Sequence, residues 1–464
     1  MKFGKVSAFL TAAGAISAIA IAQDGNVVWN LVETELTKLL GVTPLPAHPL
    51  ERLEANETAD FWGVAKAMFK INMGFYEKDK TARPDSAIAV RDAHAKGHGC
   101  VVANLEISEN VPEWARSGIF AQPGHVFPAI ARFSNGTQET GQADNVKDAR
   151  GMSIKLIDSE NLKTNLLGTG NTQDFLMINS PRFFIRNLHD YLLFQLSTIK
   201  TGSPKAFIVS RAIHEALGED LDEKTVASLL PQIAALSAGS PDAVKNIAAL
   251  IGPERTGLLL KKLGEVKAGK APLESVIINE ILREVNSSLD ETYFSMSTYR
   301  LKSGNSDSLS DDTAVKYIVK PLACGASDVE TSAGMKGPNF LRDDLINRVA
   351  KSDYCFSLSI QPLPSDDIER KRTLVEDSRL AFGTEPIQVG TLRIAKQDIS
   401  SSEKTRYCEN LSFNPWQSQE EHQPLGSMNR ARRFAVTASS IRRHFINAAK
   451  RVEPKSTADY SSIK

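Results

Sequence analysis

The chain is 464 residues long, and its 42% hydrophobic, 24% charged and 7% aromatic residues are the composition of a globular protein with a real core. Its 55 Lys and Arg balance 55 Asp and Glu, and a formal net charge of +0 excludes a dedicated nucleic-acid binder and a polyanion alike. Four cysteines without a CxxC pair exclude a disulfide scaffold and a zinc ribbon.

Residues 1–22 carry Lys2 and Lys5, then an Ala/Ile-rich apolar stretch, then Ala20 and Ala22 as small residues before Gln23 and Asp24. That order predicts a cleaved signal peptide, with an uncleaved N-terminal membrane anchor and a buried helix as alternatives. The expected location is therefore exported, periplasmic or secreted, or anchored through residues 1–22. An oxidising compartment would let some of Cys100, Cys324, Cys355 and Cys408 pair, in a pattern the sequence leaves open.

A helical arm is expected over residues 23–79, with helical spacing at 26–40 and 56–78 flanking the proline-rich 43–49, which reads as an extended crossing. From Cys100 the texture changes to short β-like runs, CVVANLEI, FPAIARFS, GMSIKLID and DFLMIN, punctuated by Gly, Asn and Asp. Residues 205–289 return to helical spacing. Strands resume in YFSMSTYRL, AVKYIVKPL, YCFSLSIQPL and QVGTLRIA, with the polar SGNSDSLSDD as a hairpin loop between the first two. A basic helix is expected at about 426–450, its arginines forming a solvated or anion-binding face, and a polar tail follows over 451–464. Strands on both sides of a helical stretch predict an α+β fold: one antiparallel β-barrel domain over 80–450 with a helical insertion at 205–289, rather than three separate domains.

Polar residues cluster in the first β section. Arg91, His94 and His98 precede the first strand among glycines that permit close backbone approach. Arg132 and Ser134 follow in ARFSNG, then ADNVKDARG and G-T-G-N-T, the last with Asn171 just ahead of Phe175. Singly each has an ordinary structural reading; together they predict a pocket.

Taken in order, HAKGHG, ARFS, ADNVKDARGMSIKL and GNT with a following aromatic are similar to haem catalases. YFSMSTYRL, AVKYIVKPL, QVGTLRI with FNPW, and EHQPLGSMNRARR resemble the divergent catalase-related branch more closely. The likeness covers residues 80–200 strongly and 290–445 more weakly, and leaves the 205–289 insertion unexplained. It implies a catalase-like barrel with an Arg-rich C-terminal helix, haem b as cofactor, and an oxidoreductase acting on hydrogen peroxide or an organic or lipid hydroperoxide. In that scheme His94 moves the peroxide proton, Ser134 fixes its ring, and Asn171 hydrogen-bonds the peroxide. Arg91 and Arg132 hold the haem propionates, Phe175 walls the pocket, and His98 has a structural role nearby. The insertion would either cover the pocket mouth or form a subunit contact in a homo-oligomer.

The resemblance breaks on the far side of the haem. Catalase iron is held by a tyrosinate four residues after an arginine. Arg432 matches the arginine, and the tyrosine's position falls on Val436; no tyrosine lies in 426–450. Either another residue, with Tyr407, Cys408 and His444 as candidates, ligates the iron, or the chain is a catalytically degenerate exported protein on this fold, binding haem or an apolar ligand without turnover.

Overall fold

The computed structural model describes residues 25–40, 48–54, 57–83, 87–201, 205–218, 221, 223–237, 239–267, 273–302, 312–324, 337–364 and 367–463. The expected signal or anchor at 1–22, most of the proline-rich crossing and nearly all of SGNSDSLSDD lie outside them.

The described residues form the strands β1 (Gly97–Ile107), β2 (Val126–Asn135), β3 (Arg150–Ile157), β4 (Thr172–Ile178), β5 (Tyr293–Phe294), β6 (Thr298–Lys302), β7 (Asp312–Leu322), β8 (Tyr354–Pro362), β9 (Ile387–Ile394) and β10 (Pro424–Leu425), all but β10 on the expected β-like runs. The order β7-β5-β4-β3-β2-β1-β9-β8 closes on itself through the β7–β8 pairing, giving an eight-stranded antiparallel barrel; β6 and β10 continue from β7. Closure leaves these eight strands no free edge along the barrel wall. Alternation sends Ala129, Ala131, Phe133, Met152, Ile154 and Phe175 into the barrel core, and Arg132, Ser134, Gly151, Ser153 and Leu176 to its outer face.

Helices cover that outer face. α1 (Gly25–Leu40) and α2 (Glu57–Ala82) pack on the long C-terminal helix, with Phe61 stacked on Phe434 at 4.9 Å between centroids. α3 (Leu188–Thr201) lies against α2. Among the described residues, the 205–289 stretch forms α4 (Lys205–Leu217), α5 (Glu223–Ser237), α6 (Ala243–Ile251), α7 (Pro253–Lys267) and α8 (Leu273–Ile281). They carry a small core of their own around Ile213, Leu229, Ile247 and Leu259. Then come α9 (Phe340–Val349), α10 (Ile368–Glu376), α11 (Ser402–Asn410), α12 (Ser427–Ile446) and α13 (Ala458–Ser461).

The basic helix α12 departs from the expected solvated face. Arg430 is buried and bridges Glu51, Glu57 and Glu376, and Arg442 pairs with Asp92 at 2.8 Å. Arg430 and Arg442 thus hold helix, arm and barrel together, each buried guanidinium matched by carboxylates. The cysteines pair as Cys100–Cys408 and Cys324–Cys355. Among the described residues no helix is long and apolar enough to cross a membrane.

Candidate functional site

A cavity of ≈ 180 Å³ opens between the outer face of β2–β4 and α12. Its barrel wall presents His94, Arg132, Gly151, Ser153 and Leu176; its helix wall presents Met428, Arg432, Ala435, Val436, Ser439 and Arg443. The helical residues recur at intervals of three, four and seven, one stripe of a 3.6-residue helix. Among the described residues, none of those lining the cavity comes from 205–289.

His94 sits at φ +59°, a backbone region that a non-glycine residue rarely adopts. It is pinned from both sides: its N–H donates to the Gly136 carbonyl at 3.4 Å, and its own carbonyl accepts from Arg132 Nη2 at 3.0 Å. Its Nδ1 lies 3.2 Å from Ser134 Oγ. Gly151, opposite Ser134 in the β2–β3 register, makes the arrangement sterically feasible: a Cβ there would stand 2.4 Å from His94 Nδ1 and 2.8 Å from Ser134 Oγ. Burial, followed by the charges of Arg132 and Arg432, pushes the His94 imidazolium down to about 4, so the ring is neutral and ready to accept a proton across the neutral range.

One end of the cavity is rich in arginine. Arg91 Nη1 donates to Glu409 Oε2 at 2.8 Å, and Arg132 Nη2 to Glu409 Oε1 at 3.1 Å. Burial alone would raise the Glu409 carboxyl, yet Arg132 and Arg91 hold it below its usual value. Arg443 donates to the Leu411 carbonyl at 3.0 Å, and burial drives its guanidinium down to about 10. Arg432, one turn before Val436, donates to Ser297 Oγ and Asn429 Oδ1 at 3.1 Å each.

The structure does not bring every expected residue here. Asn171 is half-buried at the start of β4, the end away from Gly151's partner Ile178, and bonds Thr164 Oγ1 and the Ser159 carbonyl at 3.3 Å each. Phe175 points into the barrel, edge-on to Tyr317 at 4.8 Å, because strand parity gives the outer face to its neighbour Leu176. The three alternative iron ligands lie off the cavity. Cys408 is consumed by the disulfide, Tyr407 packs on Tyr460, and both His444 nitrogens face backbone carbonyls, of Ser440 at 2.7 Å and Asn410 at 2.8 Å. His98 is buried between Ser288 Oγ and Asn135 Oδ1, each at 2.8 Å.

Three features were missed from the sequence. Glu409 has no recognisable motif. Met68, Met296 and Met428 give the cavity a polarizable apolar lining. Tyr191 of α3 is the phenol that does line it; its hydroxyl lies 3.4 Å from Met68 Sδ, and burial pushes its pKa up to about 12, so it is a neutral phenol.

Residues 74–205 match the protein-family model described as Catalase. The chain is 30% identical to the catalase of Cavia porcellus over 131 residues, which cover 28% of this chain and 21% of that protein. It is 34% identical to Catalase-2 of Caenorhabditis elegans over 100 residues, covering 22% and 18%. The matched stretch is thus about a fifth of these relatives' length. Catalase A from Saccharomyces cerevisiae superposes with a TM-score of 0.48 and 14% identity, covering 78% of this chain and 61% of that one. The family match falls on the segment that builds β1–β4 and carries His94, Arg132, Ser134 and Gly151, so over residues 74–205 the chain is similar to catalases.

Proposed function

We propose that the cavity is a haem pocket and that the chain is a catalase-like oxidoreductase acting on hydrogen peroxide or an organic hydroperoxide. The observation that carries this reading is the His94–Ser134 pair, held against Gly151 with His94 lining the cavity. The residues fit the porphyrin. Buried Arg132 and Arg443 each keep an Nε without a partner among the described residues, which suits the carboxylates, and methionines with Leu176 and Phe413 suit its apolar edges. They do not fit the iron ligation of catalases, since Val436 has no donor and Tyr191 holds its proton.

Bound haem would supply the redox centre at which the peroxide O–O bond is cleaved. The chain's own part is acid–base. Neutral His94 accepts the proton from one peroxide oxygen and returns it to the other, while Ser134 at Nδ1 holds the ring in one orientation. The methionine-lined wall favours an organic hydroperoxide over the smaller substrate. Lacking an anionic ligand beneath the iron, the protein is expected to turn over slowly. Two disulfides support an exported location, in keeping with the leader-like residues 1–22.

The test is peroxide turnover by haem-reconstituted protein and its His94→Ala variant. Turnover should fall about 10²–10⁴-fold in the variant with the haem spectrum retained. Equal turnover would remove His94 from the mechanism. Val436 favours a second reading, a ligand-binding protein without turnover, for which neither form would consume peroxide.

A further inference from the structure

Glu409 is a buried carboxylate that the peroxide chemistry does not use. It reaches the cavity's arginine end from α11, anchored one residue away by the Cys100–Cys408 disulfide, and the Cys408 carbonyl accepts from Arg91 Nη2 at 3.1 Å. The barrel is shaped around the pair that Glu409 forms with Arg132: a Cβ on Gly97 of β1 would stand 2.3 Å from Glu409 Oε1 and 2.9 Å from Arg132 Nη2.

The local charges do not balance. Among the described residues, Arg91 and Arg132 share Glu409, Arg442 pairs with Asp92 and Arg443 has no carboxylate, so four guanidinium groups face two carboxylates. Arg443 bonds a backbone carbonyl, and the Nε atoms of Arg132 and Arg443 find no partner among the described residues. Burying cations in this way is costly unless an anion completes the site. The apolar walls continue from this end toward Met428, so the missing anion belongs to a ligand with an apolar body.

We propose that Glu409 determines the charge specificity of the cavity: its carboxylate sits on Arg91 and Arg132 as the chain's own counter-ion and competes with the carboxylate of an acidic apolar ligand for the same arginines. This rests on reading the cavity as a ligand pocket, and needs no iron ligand. A neutral ligand of the same shape is indifferent to Glu409. An acidic one gains when the competing charge is removed.

The experiment titrates full-length disulfide-bonded protein with metal-free protoporphyrin IX, its dimethyl ester, oleate and methyl oleate, following fluorescence or ligand-induced thermal shift. In Glu409→Gln, affinity for the acids should rise about tenfold or more while that for the esters stays unchanged. Arg443→Gln, which leaves the Glu409 pairs in place, should lose about tenfold for the acids alone, and it keeps the test open if Glu409→Gln fails to fold. Preference for protoporphyrin over oleate identifies a tetrapyrrole as the ligand, and the reverse a fatty acid. Equal shifts for acids and esters, no shift in either variant, or no binding of any acid would overturn the proposal. Acid binding without haemin binding would keep it and overturn the haem reading instead.

Discussion

The two walls of the cavity are built on different principles. The barrel wall is a backbone construction: His94 at positive φ, Ser134 across from Gly151, and glycines placed where any Cβ would collide with the ring or the ion pair. The helix wall is a row of side chains on α12, Met428, Arg432, Ala435, Val436, Ser439 and Arg443. Acid–base machinery set in strand register is held by many contacts, whereas a metal ligand on a helix is one residue deep. Val436 stands on the helix wall.

The largest expected effect comes from altering the helix wall. Val436→Tyr places a phenol one turn from Arg432, and with haem bound it should raise peroxide turnover by about two orders of magnitude and shift the visible spectrum. Stopped-flow peroxide assays and absorption spectra check this; unchanged turnover would mean that the missing ligand is not what limits the protein. On the barrel wall, Gly151→Ala should displace the His94 ring and lower turnover about 10²-fold while haem is still retained, read from the ratio of activity to haem absorbance. Retained activity would show that the close approach does not matter.

The clamp between the arginine end and the barrel comes next. Cys408→Ser with Cys100→Ser opens a loop spanning 308 residues and should cost about 2–5 kcal/mol of stability, measured by denaturant unfolding. The smallest effect is on pH dependence. Burial pushes His94 and His422 down to about 4, below the ordinary histidine value of 6.5. His422 accepts from the Ile119 N–H at Nε2 and faces the Tyr317 hydroxyl at Nδ1, so the fold wants its neutral form. The unfolded chain therefore binds more protons between these values. The contribution is fully present above pH 6.5 and is lost as pH falls toward 4. Melting temperature should decline over that interval, while turnover between pH 5 and 8 stays nearly flat because His94 is already neutral.

The barrel strands were legible because period-two alternation survives in runs such as FPAIARFS, whereas the pairing of His94 with Ser134 came from the resemblance to haem catalases. Phe175 was placed on the pocket wall by the resemblance alone, whereas strand parity gives that face to Leu176. Asn171 was likewise placed by the resemblance, and it lies at the end of β4 away from the cavity. Glu409 was invisible: it lies 318 residues from Arg91, and only closure of the barrel brings α11 against the segment before β1. The same holds for the cysteine pairing and for the buried state of the α12 arginines, whose partners Glu51, Glu57, Glu376 and Asp92 come from distant segments.

The most direct test of the central claim is a haemin titration of the purified, disulfide-bonded protein, scanned through the Soret region and repeated after gel filtration. The account predicts one haem per chain, a Soret band that persists through the column, and a spectrum lacking the signature of an iron-bound phenolate until Val436→Tyr supplies one. A folded, β-rich protein that elutes with no Soret band would contradict it.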